Sequence, residues 1–253
     1  MTDDELHAVL RDVFRAIHSE DVPGESLEAG GWMMVDSGVG LPTLNFAVVA
    51  SPDAVTSMDV PEQWFDERAG FRLLLRIPGD EAVLAMAESR GYTMTRSQPV
   101  MARALPLDAL PMPDGFALRE ARERAQILDY LSVRKANRPE RPSDDDEAAF
   151  IEKMVSTGRL RYFVAYREGT PVATASSALA GKAVSISNVW VDESVRRQGL
   201  GAAMTAAAAI HEGAEWALLE ASAMGEPVYR RMGFRPRFRY LQFAPPQPEA
   251  ETN

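Results

Sequence analysis

Apolar residues recur at helical spacing at the start of the chain, where Leu6, Val9, Leu10, Val13, Phe14 and Ile17 fall on one stripe. Thr2 and Glu5 stand three apart ahead of that stripe, as in a capping box. Beyond a Gly-rich passage the period changes. Apolar runs at Thr43–Ser51 and Phe71–Gly79 predict buried strands, the second ending at a Pro-Gly turn. Asp80–Gly91 reads as a helix with Gly91 as its stop, followed by a strand near Pro99–Leu105. Three prolines in Leu105–Gly115 mark a linker, so the expected domains are residues 1–108 and 109–243, with a disordered tail over 244–253.

After the linker the pattern restarts. Phe116–Ala121 predicts a strand, and the next helix ends near Asn137. A loop, "RPERPS", leads to Ser143, which caps a second helix opening on Asp144–Glu147. Arg159–Arg167 and the run from Thr170 form a hairpin around Glu168-Gly169. Ala183–Val191 predicts a strand, a helix starts after Gly199 and runs to Glu212 with Gly213 closing it, and Trp216–Ser222 is strand-like. Pro227 sits in the first turn of a short helix that stops at Gly233, and "FRPRFRYLQF" closes the series as a strand. The order β-α-α-β-β-β-α-β-α-β predicts a mixed α/β (α+β) domain. "AESRGYTMTRSQPVMA" in the first half echoes "VYRRMGFRPRFRYLQF" in the second, which raises a degenerate duplication as one possibility.

Composition removes several chemistries. No cysteine is present, which excludes disulfides, thiolate nucleophiles and cysteine zinc sites. The three histidines, His7, His18 and His211, share no ligand spacing, so no metal is expected. The acidic, polar N-terminus lacks the form of a secretory signal, and no apolar run is long enough to span a membrane, so a cytoplasmic protein is expected. The net charge of -10 resides in the first 110 residues, and the remainder is balanced. That argues against nucleic acid as a partner and suits a cationic substrate, although such charge also serves solubility alone.

The stretch "VRRQGLG" (Val195–Gly201) carries the candidate chemistry. It joins the strand ending at Val191 to an alanine-rich helix. Glycines there let backbone approach a ligand, and a helix N-terminus offers unpaired N–H groups and partial positive charge. Together with Arg196 and Arg197 they would cradle a pyrophosphate. A lone motif of this kind can also be packing only. It is neither a Walker loop nor a dinucleotide fingerprint, since G-x-x-x-x-G-K-[ST] and the third glycine are both missing.

The combination of Val189-Trp190-Val191, then Arg196-Arg197-Gln198-Gly199-Leu200-Gly201, then "LEASAMGEPVYRRMGF" (Leu219–Phe234) resembles the GCN5-related N-acetyltransferase (GNAT) superfamily over roughly residues 115–243. The first half looks like a degenerate copy of the same fold, without the R-x-x-G-x-G motif. The resemblance implies a mixed, mostly antiparallel sheet flanked by helices, in two such halves. It implies an acetyl-CoA-dependent N-acetyltransferase acting on a primary amine, small molecule or peptide, by direct attack in a ternary complex.

Carried over residue by residue, the pyrophosphate would lie against Arg196, Arg197, Gln198, Gly199, Leu200, Gly201 and Ala202. Val189, Trp190, Val191, Ser222 and Tyr229 would follow the pantetheine arm. The Val189 N–H would polarise the thioester carbonyl, and Tyr229 would protonate the departing thiolate. Ser222 replaces an asparagine of many relatives. Ser185 stands where some relatives place a glutamate base, which leaves Asp192, Glu193 and Glu220 as weaker candidates. The amine, the acyl length and the oligomeric state stay open, a sheet-edge homodimer being one option. Two rivals predict different behaviour: a non-catalytic acyl-CoA sensor or interaction module, and a scaffold that binds no coenzyme.

Overall fold

The computed structural model describes residues 1–16, 24–38, 44–68, 70–108, 110–135, 144–158 and 160–246. The expected loop at Lys135–Ser143, the Ser143 cap and the tail beyond Pro246 fall largely or wholly outside them. Two compact units are present, residues 1–22 with 100–237 and residues 23–99 with 238–253. They divide the chain differently from a single boundary near residue 108, because the first helix and the last strand each join the half at the other end of the sequence.

In the first unit, α1 (Asp3–Ala16) starts on the expected capping box. Thr2 N–H donates to Glu5 Oε2 at 2.7 Å and Glu5 N–H to Thr2 Oγ1 at 3.2 Å. The strands of this unit are β6 (Phe116–Glu120), β7 (Leu160–Arg167), β8 (Thr170–Ala180), β9 (Ala183–Val191), β10 (Trp216–Glu220) and the second half of β5 (Thr93–Ala104). Their order is β5-β10-β9-β8-β7-β6, antiparallel throughout except for the parallel pair β9 and β10.

Alternate residues of β7 enter different clusters. Phe163 and Ala165 pack with α6 (Leu200–Ala208) and α7 (Glu226–Arg231), whereas Tyr162 and Val164 pack with α4 (Arg124–Lys135) and α5 (Asp144–Ser156). Helix α1 lies on β8 and β9 with Leu6, Val9 and Leu10 buried, so its stripe belongs to this unit's core.

The second unit holds β1 (Glu25–Ala29), β2 (Trp32–Asp36), β3 (Phe46–Val49), β4 (Arg72–Ile77), most of β11 (Arg235–Ala244), α2 (Asp59–Phe65) and α3 (Glu81–Ser89). Its strands run β1-β2-β3-β4-β11. The first hairpin and α2 were not legible as elements. β1 is exposed along nearly its whole length and shows no alternation, although Gly30-Gly31 between β1 and β2 is a two-residue turn signal.

The duplication is visible in the pairing. β3 and β4 are parallel, as are β9 and β10; β4 then pairs antiparallel with β11, and β10 with β5. Each half therefore gives its last strand to the other unit. The helices before those strands end alike. Tyr92 N–H bonds to Ala87 O and Phe234 N–H to Tyr229 O, both at 3.0 Å, after Gly91 at φ +79° and Gly233 at φ +89°. The chain thus takes the expected mixed, mostly antiparallel α/β fold in two halves. Among the described residues no helix is long and apolar enough to cross a membrane.

Helix α6 ends at Ala208, short of the expected Glu212. The chain turns so that Arg161 Nη1 donates to Ile210 O at 2.7 Å and His211 Nε2 meets Ser177 Oγ at 2.8 Å. Burial and the nearby Arg161 hold the His211 pKa below its ordinary value, against the weaker pull of Glu120. In the unfolded chain His211 takes a proton near pH ~6.5, and the fold resists that proton. Stability therefore falls as pH drops below the unfolded value. Chemical denaturation between pH 7 and 5 should show this loss, and His211→Gln should flatten it.

Candidate coenzyme and acyl-transfer site

The site begins with a break in regular pairing. Strands β9 and β10 pair in parallel from Ala183↔Trp216 to Ile186↔Leu219, and the pairing goes no further. On its other side β9 carries a bulge, because Ser187 opposes Ser176 and Trp190 opposes Thr174, leaving Asn188 and Val189 against Ala175 alone. Asn188 sits at φ +52°, the left-handed region that asparagine tolerates better than most residues. Its amide donates to Ser176 Oγ at 2.9 Å, and its carbonyl accepts from Thr174 Oγ1 at 3.0 Å.

The extra residue reverses the parity of the strand. Before it, Val184 and Ile186 face the cluster that contains α6; after it, Val189 and Val191 do. Trp190 is thereby placed opposite Thr174, turned from that cluster. Val189, Val191, Leu200, Ala202 and Tyr229 meet in one apolar group, which unites the expected strand, helix and tyrosine.

The turn after β9 is built to present amides. Asp192 accepts from Ser194 N–H at 2.9 Å and from Ser194 Oγ at 2.5 Å, and these bonds, the hydroxyl first, hold its pKa below the usual range. Arg197 at φ +63° and Gly199 at φ +83° then swing the chain into α6. Gly199 is required by that conformation, since a Cβ there would meet nothing closer than Pro113 Cγ at 3.9 Å. Ala202 and Ala203 N–H both bond to Gly199 O at 3.1 Å. The N–H groups of Gln198, Gly199, Leu200 and Gly201 find no acceptor among the described residues. The Ala202 N–H is therefore already committed to the helix.

The two arginines differ. Arg196 Nε donates to Val191 O at 3.2 Å and its Nη1 lies 3.4 Å from Glu193 Oε1, so this side chain braces the turn from within. Arg197 is exposed with no protein partner among the described residues. Gln198 is likewise exposed, and a notional Cβ on Gly201 would rest in van der Waals contact with Val191 Cγ2 at 3.7 Å.

Tyr229 is buried on α7 at 8% exposure, edge-on to Phe234. Its ring lies so close to Gly225 that a Cβ there would stand 2.8 Å from Cε2. Burial raises the phenol pKa, and a hydrogen bond with Thr205 works against that rise. Thr205 Oγ1 in turn donates to Gly201 O at 2.8 Å, linking the tyrosine to the amide turn. Thr205 carries no signal in the sequence beyond a polar residue in an alanine-rich helix. Ser222 is exposed, and its hydroxyl accepts from Gly225 N–H at 3.1 Å, so it shapes the turn before α7.

Ser185 is buried on the face away from α6 and offers no carboxylate. Two of the acids opening α5 are tied to α4: Asp145 to Arg124 at 2.7 Å and Glu147 to Arg134 at 2.8 Å, the latter pair buried. Among the described residues no group of three or more acidic or histidine side chains could hold a metal.

Residues 158–236 match the family described as acetyltransferase (GNAT) domain. The fold is similar to solved structures along almost the whole chain. A GCN5-related N-acetyltransferase from Kribbella flavida aligns at TM-score 0.72 and 20% identity, covering 96% of this chain and 95% of that one. A GCN5-related N-acetyltransferase from Sphaerobacter thermophilus aligns at 0.60 and 18%, covering 90% and 85%. A tandem GNAT protein from the clavulanic acid biosynthesis pathway aligns at 0.60 and 13%, covering 98% of both chains. At such identities the likeness is one of fold. No curated protein matches the sequence.

The bulge supplies a direct test. Asn188→Val puts a β-branched residue at φ +52° and should cost about 2 kcal/mol or more. Asn188→Gly keeps the backbone and loses only side-chain bonds, about 1 kcal/mol. Denaturant unfolding should rank wild type above Gly and Gly above Val.

Proposed function

From a chain of GNAT fold whose residues 158–236 match an acetyltransferase (GNAT) domain, we propose an acetyl-CoA-dependent N-acetyltransferase that acetylates a primary amine. The run of unpartnered amides from Gln198 to Gly201, at a helix N-terminus beside the uncommitted Arg197, carries this reading. Four N–H groups aimed from one turn suit a pyrophosphate, since donors and helix dipole act together. The unpaired end of β9 suits the pantetheine arm, which would add to Val189 and Val191 as a strand does. Because Arg196 already engages Val191 O, the coenzyme would share that carbonyl or rely on Val189.

Acetyl-CoA supplies an acetyl thioester. The Val189 N–H, fixed by the bulge, polarises its carbonyl. The neutral amine nitrogen forms a bond to that carbon as the C–S bond breaks, and the Tyr229 hydroxyl gives its proton to the departing sulfur. Burial raises the Tyr229 pKa, so the phenol holds its proton up to and beyond pH ~10. Asp192, with its pKa lowered, is a poor base, and the amine's proton leaves through water. Ala87 occupies the place of Tyr229 in the first half, so one transfer site per chain is the expected number.

Calorimetric titration with acetyl-CoA should give one site per chain with micromolar affinity, and Gly199→Glu, which sets an anion in the cradle, should lose binding at least 100-fold. A folded wild type that fails to bind would overturn the reading. Tyr229→Phe should keep acetyl-CoA affinity within a few-fold and lower turnover ~100-fold with an amine identified by screening. Its sign with pH follows from the raised pKa: the acid works below its pKa, so the alkaline limb of kcat for wild type should lie above pH ~10.

A further inference from the structure

Away from the amide turn, the first unit carries an open groove of about 440 Å³ whose polar side chains are all hydrogen-bond donors. Arg103, Arg235 and Arg237 line it with Trp216, and Ala102 and Ala104 leave its floor low. Guanidinium and indole groups donate and do not accept. The guanidiniums are held by main-chain carbonyls. Arg103 donates to Ala104 O at 3.0 Å, to Pro106 O at 3.1 Å and to Met232 O. Arg235 Nη1 donates to Phe234 O at 3.1 Å and Arg230 O at 3.3 Å. Arg237 Nη2 donates to Met1 O at 2.9 Å and pairs with Asp3 at 2.8 Å.

Two consequences follow. First, Asp3 is the only acid paired with these three cations among the described residues, in a chain whose net charge is -10. Second, Nε and Nη2 of Arg235, Nε and Nη1 of Arg237, and Nε1 of Trp216 have no partner among the described residues. The cations are fixed in position with donors to spare, which lowers the entropic cost of receiving a ligand. The spare donors suit a ligand with acceptor atoms and negative charge, and the indole with its alanine floor suits a flat apolar body.

We propose that this groove is a second ligand site, separate from the Gln198–Gly201 amides, for a small phosphate ester carrying a flat ring. It does not depend on the acetyl-transfer reading, since none of its residues is placed in that machinery.

Titration of the full chain with AMP, followed by calorimetry and tryptophan fluorescence, tests it. Wild type should bind one AMP with an affinity that weakens as salt rises. Arg235→Gln should weaken it at least tenfold with an unchanged unfolding midpoint, Arg235→Lys should recover part of the loss, and Trp216→Phe should remove the fluorescence change. Gly199→Glu should bind AMP as wild type does. No binding of AMP at millimolar concentration would overturn the proposal. So would binding that Gly199→Glu abolishes and Arg235→Gln leaves intact, because the phosphate would then occupy the amide turn. If inorganic phosphate binds as tightly as AMP, the flat ring contributes nothing and that part of the proposal fails.

Discussion

The one-residue bulge at Asn188 is the constraint on which the site depends. A strand alternates its side chains strictly, so Val184 and Ile186 on the α6 face would place Trp190 there too. Inserting one residue at φ +52° moves Val189 and Val191 into that apolar group instead and turns Trp190 to the other face. The same insertion bends β9 after its pairing with β10 has stopped at Ile186. Ser176, Ser187 and the Thr174 hydroxyl hold the bulge, which explains why polar residues are buried in the middle of β8.

From the bulge the rest of the site follows by short covalent steps. Val191 leads into a turn whose left-handed residues, Arg197 and Gly199, aim amides out of the fold instead of into the helix ladder. Helix α6 then carries Thr205 back beneath that turn, where its hydroxyl touches both Gly201 and Tyr229. The tyrosine is set by packing, between Phe234 and the bare backbone of Gly225, and burial keeps it protonated. Charge plays a smaller part than the sequence suggests. One arginine of the pair braces the turn, and Asp145 and Glu147 of α5 are paired with arginines of α4.

The two halves repeat one plan with different outcomes. Parallel strands, a short helix, a glycine stop and a last strand recur in both, and each last strand is given to the other unit. The copy in the second unit has alanine at the tyrosine position and no glycine pair after β3. It keeps the architecture while lacking the groups that would make an anion cradle or an acid.

The local chemistry was written in the sequence. Thr2 and Glu5 specified a helix start, Gly91 and Gly233 specified helix ends, and glycines between a strand and a helix specified a turn with free amides, because each depends on residues within a few positions of one another. The resemblance over Val189–Gly201 and Leu219–Phe234 added the expectation of acetyl transfer. Tertiary structure decided what depends on distant partners. Strand exchange, the docking of α1, the parity change at Asn188, the contact of Thr205 with Tyr229 and the gathering of Arg103, Arg235 and Arg237 all join residues far apart in the chain. The pattern "NVWV" is apolar on both faces and holds no mark of its bulge. Only pairing with β8 fixes which side chains turn inward.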